Sequence, residues 1–342
     1  MAMQKFGLTR TGVIYHLRQL KAEGLIRQEG NRNKTSYYLV QNIPKLEEGS
    51  EKQFWVEVDK TSEEELWNNF VRPLIPKRTA QNVVDICHFG VTEIFNNVID
   101  HSQSQKASVR VQISPDKIVI TICDFGIGIF KKVAVSCGFT DYRESILKLT
   151  QGKFTTAPSR HSGEGIFFTS RAFDHFAILA NGLFYSKDNG KEDDWYFETR
   201  DEKEEQSTLV KLEIFFDSKS DLKEIFQKYT NPESFQFNRT HIRIELSKFE
   251  EDQLVSRSQA KRLLHGLKDF KEIILDFKNI RTVGQAFVDE VFFVFGNERP
   301  QVHFLIDHAV PDVIFMIKRG ISTRNINLDR IQFRTEDTAA KT

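Results

Sequence analysis

The stretch VTEIFNNVIDHS, residues 91–102, decides how the middle of the chain is read. It ends a longer run, about 78–102, whose apolar residues recur at three- and four-residue intervals, the spacing of a helix. At about 100° per residue, Glu93, Asn97, Asp100 and His101 share one face, and Val84, Val91, Phe95 and Val98 lie opposite. The polar groups therefore form a stripe. Taken alone, such a stripe describes a half-exposed amphipathic helix. A ligand-facing stripe needs further pieces.

Three follow in order. The first is ICDFGIGI, in which an apolar strand closes on Asp124 and leads into Gly126 and Gly128. A carboxylate at a buried strand end, beside glycines that admit a close approach, suits a flat polar ligand. The second is RHSGEGIFFTSRAFD, with Gly163 and Gly165 ahead of a helix whose N-terminal N–H groups favour phosphate. The third is STLVKLEI, a strand that opens on Ser207 and Thr208. Each alone is a weak signal.

In this order and spacing, the four pieces resemble the GHKL ATP-binding family: gyrase-type ATPases, Hsp90, histidine kinases and anti-sigma serine kinases. The resemblance implies an α/β sandwich that takes ATP and Mg²⁺ beneath a mobile lid. On that basis Asn97 would hold Mg²⁺ through its side-chain oxygen, and Glu93 would orient or deprotonate an attacking water or hydroxyl. Asp100 would lie near the nucleotide, and Asp124 would read adenine with support from Thr208. Gly126, Gly128, Gly163 and Gly165 would admit the phosphates. Lys153, Arg160 and His161 would fall in the lid.

Residues 1–42 form a separate unit. LTRTGVIYHLRQLKAEGLI has helical spacing and IRQEGNRNKTSYYLV alternates around a Gly-Asn turn. Together they resemble the end of a winged helix-turn-helix domain, as though the chain begins inside its second helix. The resemblance implies DNA contact through Arg10, Thr11 and Tyr15 in the major groove, with Arg32 and Lys34 of the wing on phosphate. Lys5, Arg10, Arg18, Lys21, Arg27, Arg32 and Lys34 outnumber Glu23 and Glu29 here, although the whole chain has a formal net charge of 0.

The third unit, about 241–335, alternates strands and helices. It resembles a STAS-like domain, of the kind fused after GHKL modules. Gly284 and Gln285 stand where such domains carry Asp-Ser, so a phosphorylation switch at that turn is not expected. The basic helix SRSQAKRLL, 256–264, reads as a solvated face or a docking surface for a protein partner.

The predicted organisation is therefore α/β (α+β). It comprises a partial winged helix at 1–42, a linker at 43–77, an ATP-binding domain at 78–216, a linker at 217–240 and a STAS-like domain at 241–335. At 342 residues, 39% hydrophobic and 28% charged, the composition is that of a soluble protein. No apolar run reaches about 18 residues, so no transmembrane helix is predicted. Three cysteines without a CxxC pair fit a reducing, cytoplasmic setting, with neither a disulfide framework nor a zinc site. Two functional readings follow. One is an ATP/Mg²⁺-responsive transcription regulator; the other is an ATPase or a serine/threonine protein kinase acting on a partner protein.

Overall fold

A computed structural model describes residues 26–29, 36–39, 50–154, 163–191, 193–199, 206–247, 254–323 and 328–334. The fold is mixed, with one large antiparallel sheet and one parallel sheet. Two compact units are interleaved in sequence. The first comprises Met1–Tyr142 and Thr169–Leu222, the second Arg143–Phe168 and Lys223–Thr342.

Near the N-terminus, β1 (Ile26–Glu29) pairs antiparallel with β2 (Ser36–Leu39), Ile26 opposite Leu39. The alternating residues that signalled a hairpin thus form one. Its turn and the preceding helical stretch lie outside the described residues.

The large sheet of the first unit runs β3-β4-β5-β9-β6-β7-β8, every neighbouring pair antiparallel. Its strands are β3 (Ser50–Glu57), β4 (Lys106–Ile113), β5 (Lys117–Asp124), β6 (His175–Ala180), β7 (Leu183–Asp188), β8 (Asp193–Glu198) and β9 (Thr208–Phe215). The stretch 43–77, expected to link, contributes the edge strand β3 and the helix α1 (Glu63–Leu66), which runs on to Val71. A capping box starts α1: the Ser62 hydroxyl accepts from Glu65 N–H while the Glu65 carboxylate accepts from Ser62 N–H. That exchange satisfies two backbone donors otherwise left open at a helix start.

Helix α2 (Gln81–Asn97) packs on the sheet through Val83, Val84, Ile86, Cys87, Val91, Ile94 and Phe95, all buried. Gly90 lets it lie close, because a Cβ there would strike the ring of Phe173 and approach Leu212 of β9. The last turn, Val98–Ser102, widens into a π turn and stops at Gln103, whose φ of 62° is left-handed. Two further helices follow β5, namely α3 (Ile129–Cys137) and α4 (Arg143–Gln151). They occupy much of the stretch between Gly128 and Gly163.

The parallel sheet of the second unit runs β10-β11-β12-β13: Arg239–Arg243, Glu272–Asp276, His303–Asp307 and Ile331–Phe333. Helix α5 (Gly165–Ala172) begins in this unit, and α6 (Leu222–Tyr229) lies in the stretch expected to link. The remaining helices are α7 (Arg257–Leu264), α8 (Gln285–Val288, continued by the π turn Asp289–Phe295) and α9 (Pro311–Thr323).

Much of this unit's core is aromatic. Phe167 lies 4.9 Å from Tyr229 and 4.6 Å from Phe237, and Phe168 lies 4.3 Å from Phe226, centroid to centroid. Each such pair adds about 0.5–1.5 kcal/mol beyond area burial. Helix α4 is buried along Ser145–Gln151 and packs on β10. Helix α4 and the Phe167–Phe168 pair are therefore core material of the second unit, although the chain supplies them from the middle of the first. Among the described residues, no helix is long and apolar enough to cross a membrane.

Candidate functional site

Strand alternation sets the geometry at the end of β5. Asp124 turns inward and is 4% exposed, while Phe125 turns outward and stacks on Trp55, centroids 5.5 Å apart. Asp124 faces Thr208, its register partner on β9. The carboxylate accepts from Gly126 N–H at 2.9 Å and from the hydroxyl and backbone N–H of Thr208. The Thr208 oxygen in turn accepts from Ile129 N–H at 3.1 Å, joining the carboxylate to the start of α3. Burial pushes the Asp124 carboxyl up to about 6, and the hydrogen bonds from Gly126 and Thr208 only partly offset it.

The loop after Asp124 is tied down from two sides. Ile127 N–H donates to the Ser102 carbonyl at 3.0 Å, and a Cβ on Gly126 would fall onto that same carbonyl. Asn181 holds the other side: its Nδ2 donates to the Ile127 carbonyl at 3.1 Å and its Oδ1 accepts from Lys131 N–H at 3.0 Å. Gly128 has φ +81° and packs directly against Asn181, so it needs glycine on both counts. Asn181, Ser102 and Ser104, whose Oγ accepts from Phe125 N–H, were not singled out in the sequence. For Asn181 a signal existed: Asn181-Gly182 is an Asn-Gly pair that makes the two-residue turn between β6 and β7.

The helix face behind this loop divides as its pattern suggests. Val84, Val91, Phe95 and Val98 are buried, whereas Glu93, Asn97, Asp100 and His101 are half-buried. Glu93 and Asn97 are one turn apart on α2, and Asp100 and His101 lie on the π turn that also carries Ser102. The π turn thus joins the polar face to the loop of Asp124 through Ser102.

Other predicted positions lie elsewhere. Gly163 and Gly165 belong to the second unit. There Gly163, φ +75°, accepts from Phe154 N–H at 3.3 Å, and a Cβ would meet the Phe154 backbone. That close approach is a structural reason for glycine independent of any phosphate. Lys153 donates to the Asp269 carbonyl at 2.9 Å, with its ammonium 4.7 Å from the Phe270 ring centroid. Arg160 and His161 lie outside the described residues. So do Arg10, Thr11, Tyr15, Arg32 and Lys34.

The second unit has a charge centre of its own. Asp276 ends β11 at 1% exposure, with Arg243 Nε at 3.1 Å, His241 Nε2 at 3.3 Å and His308 Nδ1 at 2.9 Å. Burial alone would raise its carboxyl, but the hydrogen bond from His241 and the charge of Arg243 hold it well below the usual carboxylate range. At the turn where Gly284 and Gln285 stand in place of Asp-Ser, Gly284 is the N-cap of α8 and Gln285 donates to Asp289 at 2.8 Å.

Residues 259–313, from α7 into α9, match the family described as STAS-like domain of unknown function (DUF4325). The second unit accordingly carries a STAS-like domain. No curated protein matches the chain.

Proposed function

We propose that the first unit binds ATP with Mg²⁺ and that the chain is a nucleotide-responsive transcription regulator. The observation that carries the nucleotide reading is Asp124, a buried carboxylate fixed between Gly126 and Thr208. An ionised carboxylate only accepts hydrogen bonds, so it suits the exocyclic amine of adenine. Burial makes the match selective, since a base without that donor leaves a desolvated acceptor unsatisfied.

The half-buried polar face of α2 supports the rest of the reading. Asn97 offers one carboxamide oxygen, and Mg²⁺ prefers an octahedron completed by phosphate and water. Among the described residues no three His, Cys, Asp or Glu side chains gather as a metal site. A cation would therefore be held by Asn97 together with the phosphates. Bound Mg-ATP supplies a phosphoryl group with its charge partly neutralised. Asp124 and Thr208 would orient the base, and Gly126 and Gly128 would admit the nucleotide to the backbone. Asp100 would act beside them, near the nucleotide.

The regulatory part draws support from the antiparallel hairpin within the basic N-terminal segment and from the STAS-like unit. The test uses the full chain. Mg-ATP at about 100 times its Kd should raise the first unit's unfolding free energy by about 2.7 kcal/mol; no stabilisation refutes the nucleotide reading. Duplex DNA affinity, followed by anisotropy, should change on adding Mg-ATP; an unchanged affinity refutes the regulator reading.

Glu93 favours a second reading, because it shares the polar face of α2 with Asn97 one turn away. There it would orient or deprotonate a water or a partner's hydroxyl, giving an ATPase or a serine/threonine protein kinase. Turnover and phosphotransfer measured for Glu93→Ala against the unmodified chain decide it. Equal rates remove the enzymatic reading.

A further inference from the structure

The parallel sheet of the second unit ends in a row of charge. Arg243, Asp276 and Asp307 close neighbouring strands in register, and Arg334 reaches Asp307 at 3.4 Å. Two arginines thus offset two carboxylates. In open parallel sheets this edge, at the carboxyl ends of the strands, is where ligands are met.

Asp276 is the hub of the row. One of its oxygens accepts from Lys278 N–H at 2.9 Å and lies 2.9 Å from His308 Nδ1. The other faces Arg243 Nε at 3.1 Å and His241 Nε2 at 3.3 Å. Against the penalty of burial, the His241 hydrogen bond and the Arg243 charge keep the carboxylate ionised. An ionised carboxylate only accepts, so the hydrogen of the neutral His308 ring sits on Nδ1 and the lone pair on Nε2. The His308 side chain is 37% exposed, and its φ of 53° sets it in a left-handed turn directly after β12. A fixed tautomer, an oriented ring and an accessible lone pair are what a nucleophilic imidazole requires.

The surroundings select the electrophile. Attack through Nε2 leaves the ring cationic, and Asp276 already faces the Nδ1–H that shares that charge. The row is neutral as a whole, so an anionic donor meets no net repulsion. Helix α9, which starts at Pro311, favours negative charge near its first turn. Both features suit a phosphoryl group.

We propose that His308 Nε2 is a phosphoryl acceptor, charged by a nucleoside triphosphate or an acyl phosphate. The Nε2 lone pair forms a bond to phosphorus while the bond from phosphorus to the leaving oxygen breaks. A nucleoside diphosphate or a carboxylate departs with that electron pair. No proton moves, because Nδ1 keeps its hydrogen against Asp276, which acts as a positioning residue. The proposal does not depend on the nucleotide reading of the first unit.

The full chain is incubated with acetyl phosphate in one arm and Mg-ATP in another, and peptide mass spectrometry under alkaline conditions locates acid-labile phosphate. Label should favour His308 at least about tenfold over exposed His303 at the other end of β12, the lower end of what an orienting carboxylate adds to a histidine. The arm that labels identifies the donor. His308→Asn, which tolerates the left-handed turn, should cut histidine-bound phosphate about tenfold. Equal label on His303 and His308, undiminished label in His308→Asn, or none from either donor overturns the proposal. Nitrogen NMR of the ring reads the role of Asp276 apart from stability. At about pH 8 the hydrogen should sit on Nδ1, and an Nε2–H tautomer overturns the assignment.

Discussion

Replacing Asp124 by Asn should reverse the usual relation between a binding residue and stability. The Asp124 carboxyl sits at about 6 in the folded chain against 3.8 ordinarily, because burial penalises its charge. Between those values the folded state binds more protons than the unfolded state, so stability falls as pH rises. The loss is complete above about pH 6 and amounts to about 3 kcal/mol, at 1.36 kcal/mol per pH unit of displacement. Asn carries no charge at any pH and shows no such slope. Its amide adds a donor to satisfy, a cost that does not vary with pH, so the decisive quantity is the pH dependence. Urea unfolding followed by tryptophan fluorescence is the assay, since Trp55, Trp67 and Trp195 all belong to the first unit. From pH 4.5 to pH 8, unmodified chain should lose about 2–3 kcal/mol relative to Asp124→Asn without ligand. Parallel pH curves for the two proteins would refute the reasoning. With saturating Mg-ATP at pH 8, only the unmodified chain should gain stability.

Mg-ATP affinity should fall by up to about tenfold per pH unit below pH 6, as Asp124 takes up a proton and its charged, acceptor-only carboxylate becomes a carboxylic acid with a donor of its own; calorimetry between pH 5 and 8 reads this. Gly126→Ala should destabilise the first unit by about 1–3 kcal/mol, because the new methyl meets the Ser102 backbone carbonyl; urea unfolding by tryptophan fluorescence measures it. Asp276→Asn should cost the second unit about 3–5 kcal/mol by removing the carboxylate charge that faces the buried Arg243 guanidinium. Exchange protection at Glu272–Asp276 reports that loss. In the unmodified chain, the stability that Asp276 supplies is present above about pH 4 and declines as the solution is acidified below its ordinary range.

The elements legible in the sequence are those whose pattern is local. The stripe of α2, the apolar runs of β4 and β5 and the alternation of β10 to β12 with helices all carry their period in adjacent residues. Strand β3 was missed because SEKQFWVE is polar over its first half and carries charge on both faces of an edge strand, Glu51 on one and Lys52 on the other. There Glu51 and Gln53 pair with Arg110, while Phe54 and Val56 face inward. Helix α6 was legible in principle, since Leu222, Ile225, Phe226 and Tyr229 fall at helical spacing. The membership of 143–168 was not. Nothing in RESILKLTQ says which of two cores will bury it, and that choice depends on Thr240, Leu263 and Phe237, far along the chain. The loop of Asp124 shows the same division: its carboxylate and glycines were visible, while the buttress from Asn181 depends on strand pairing.

The interleaving of the two units also sets a schedule for biosynthesis. Helix α4 is made well before its partners: Gln151 precedes Thr240 by 89 residues and Leu263 by 112. At about 5–20 residues per second, those gaps last roughly 4–22 s. Throughout the shorter one, Ile146, Leu147 and Leu149 have emerged while β10 and α7 have not been synthesised. The nascent chain therefore passes through a stage in which the first unit's sheet has its strands but a sticky helix hangs from it. Chaperone demand during translation should concentrate at that stage, and a ribosome stalled between these two stretches should present α4 to whatever binds apolar segments first.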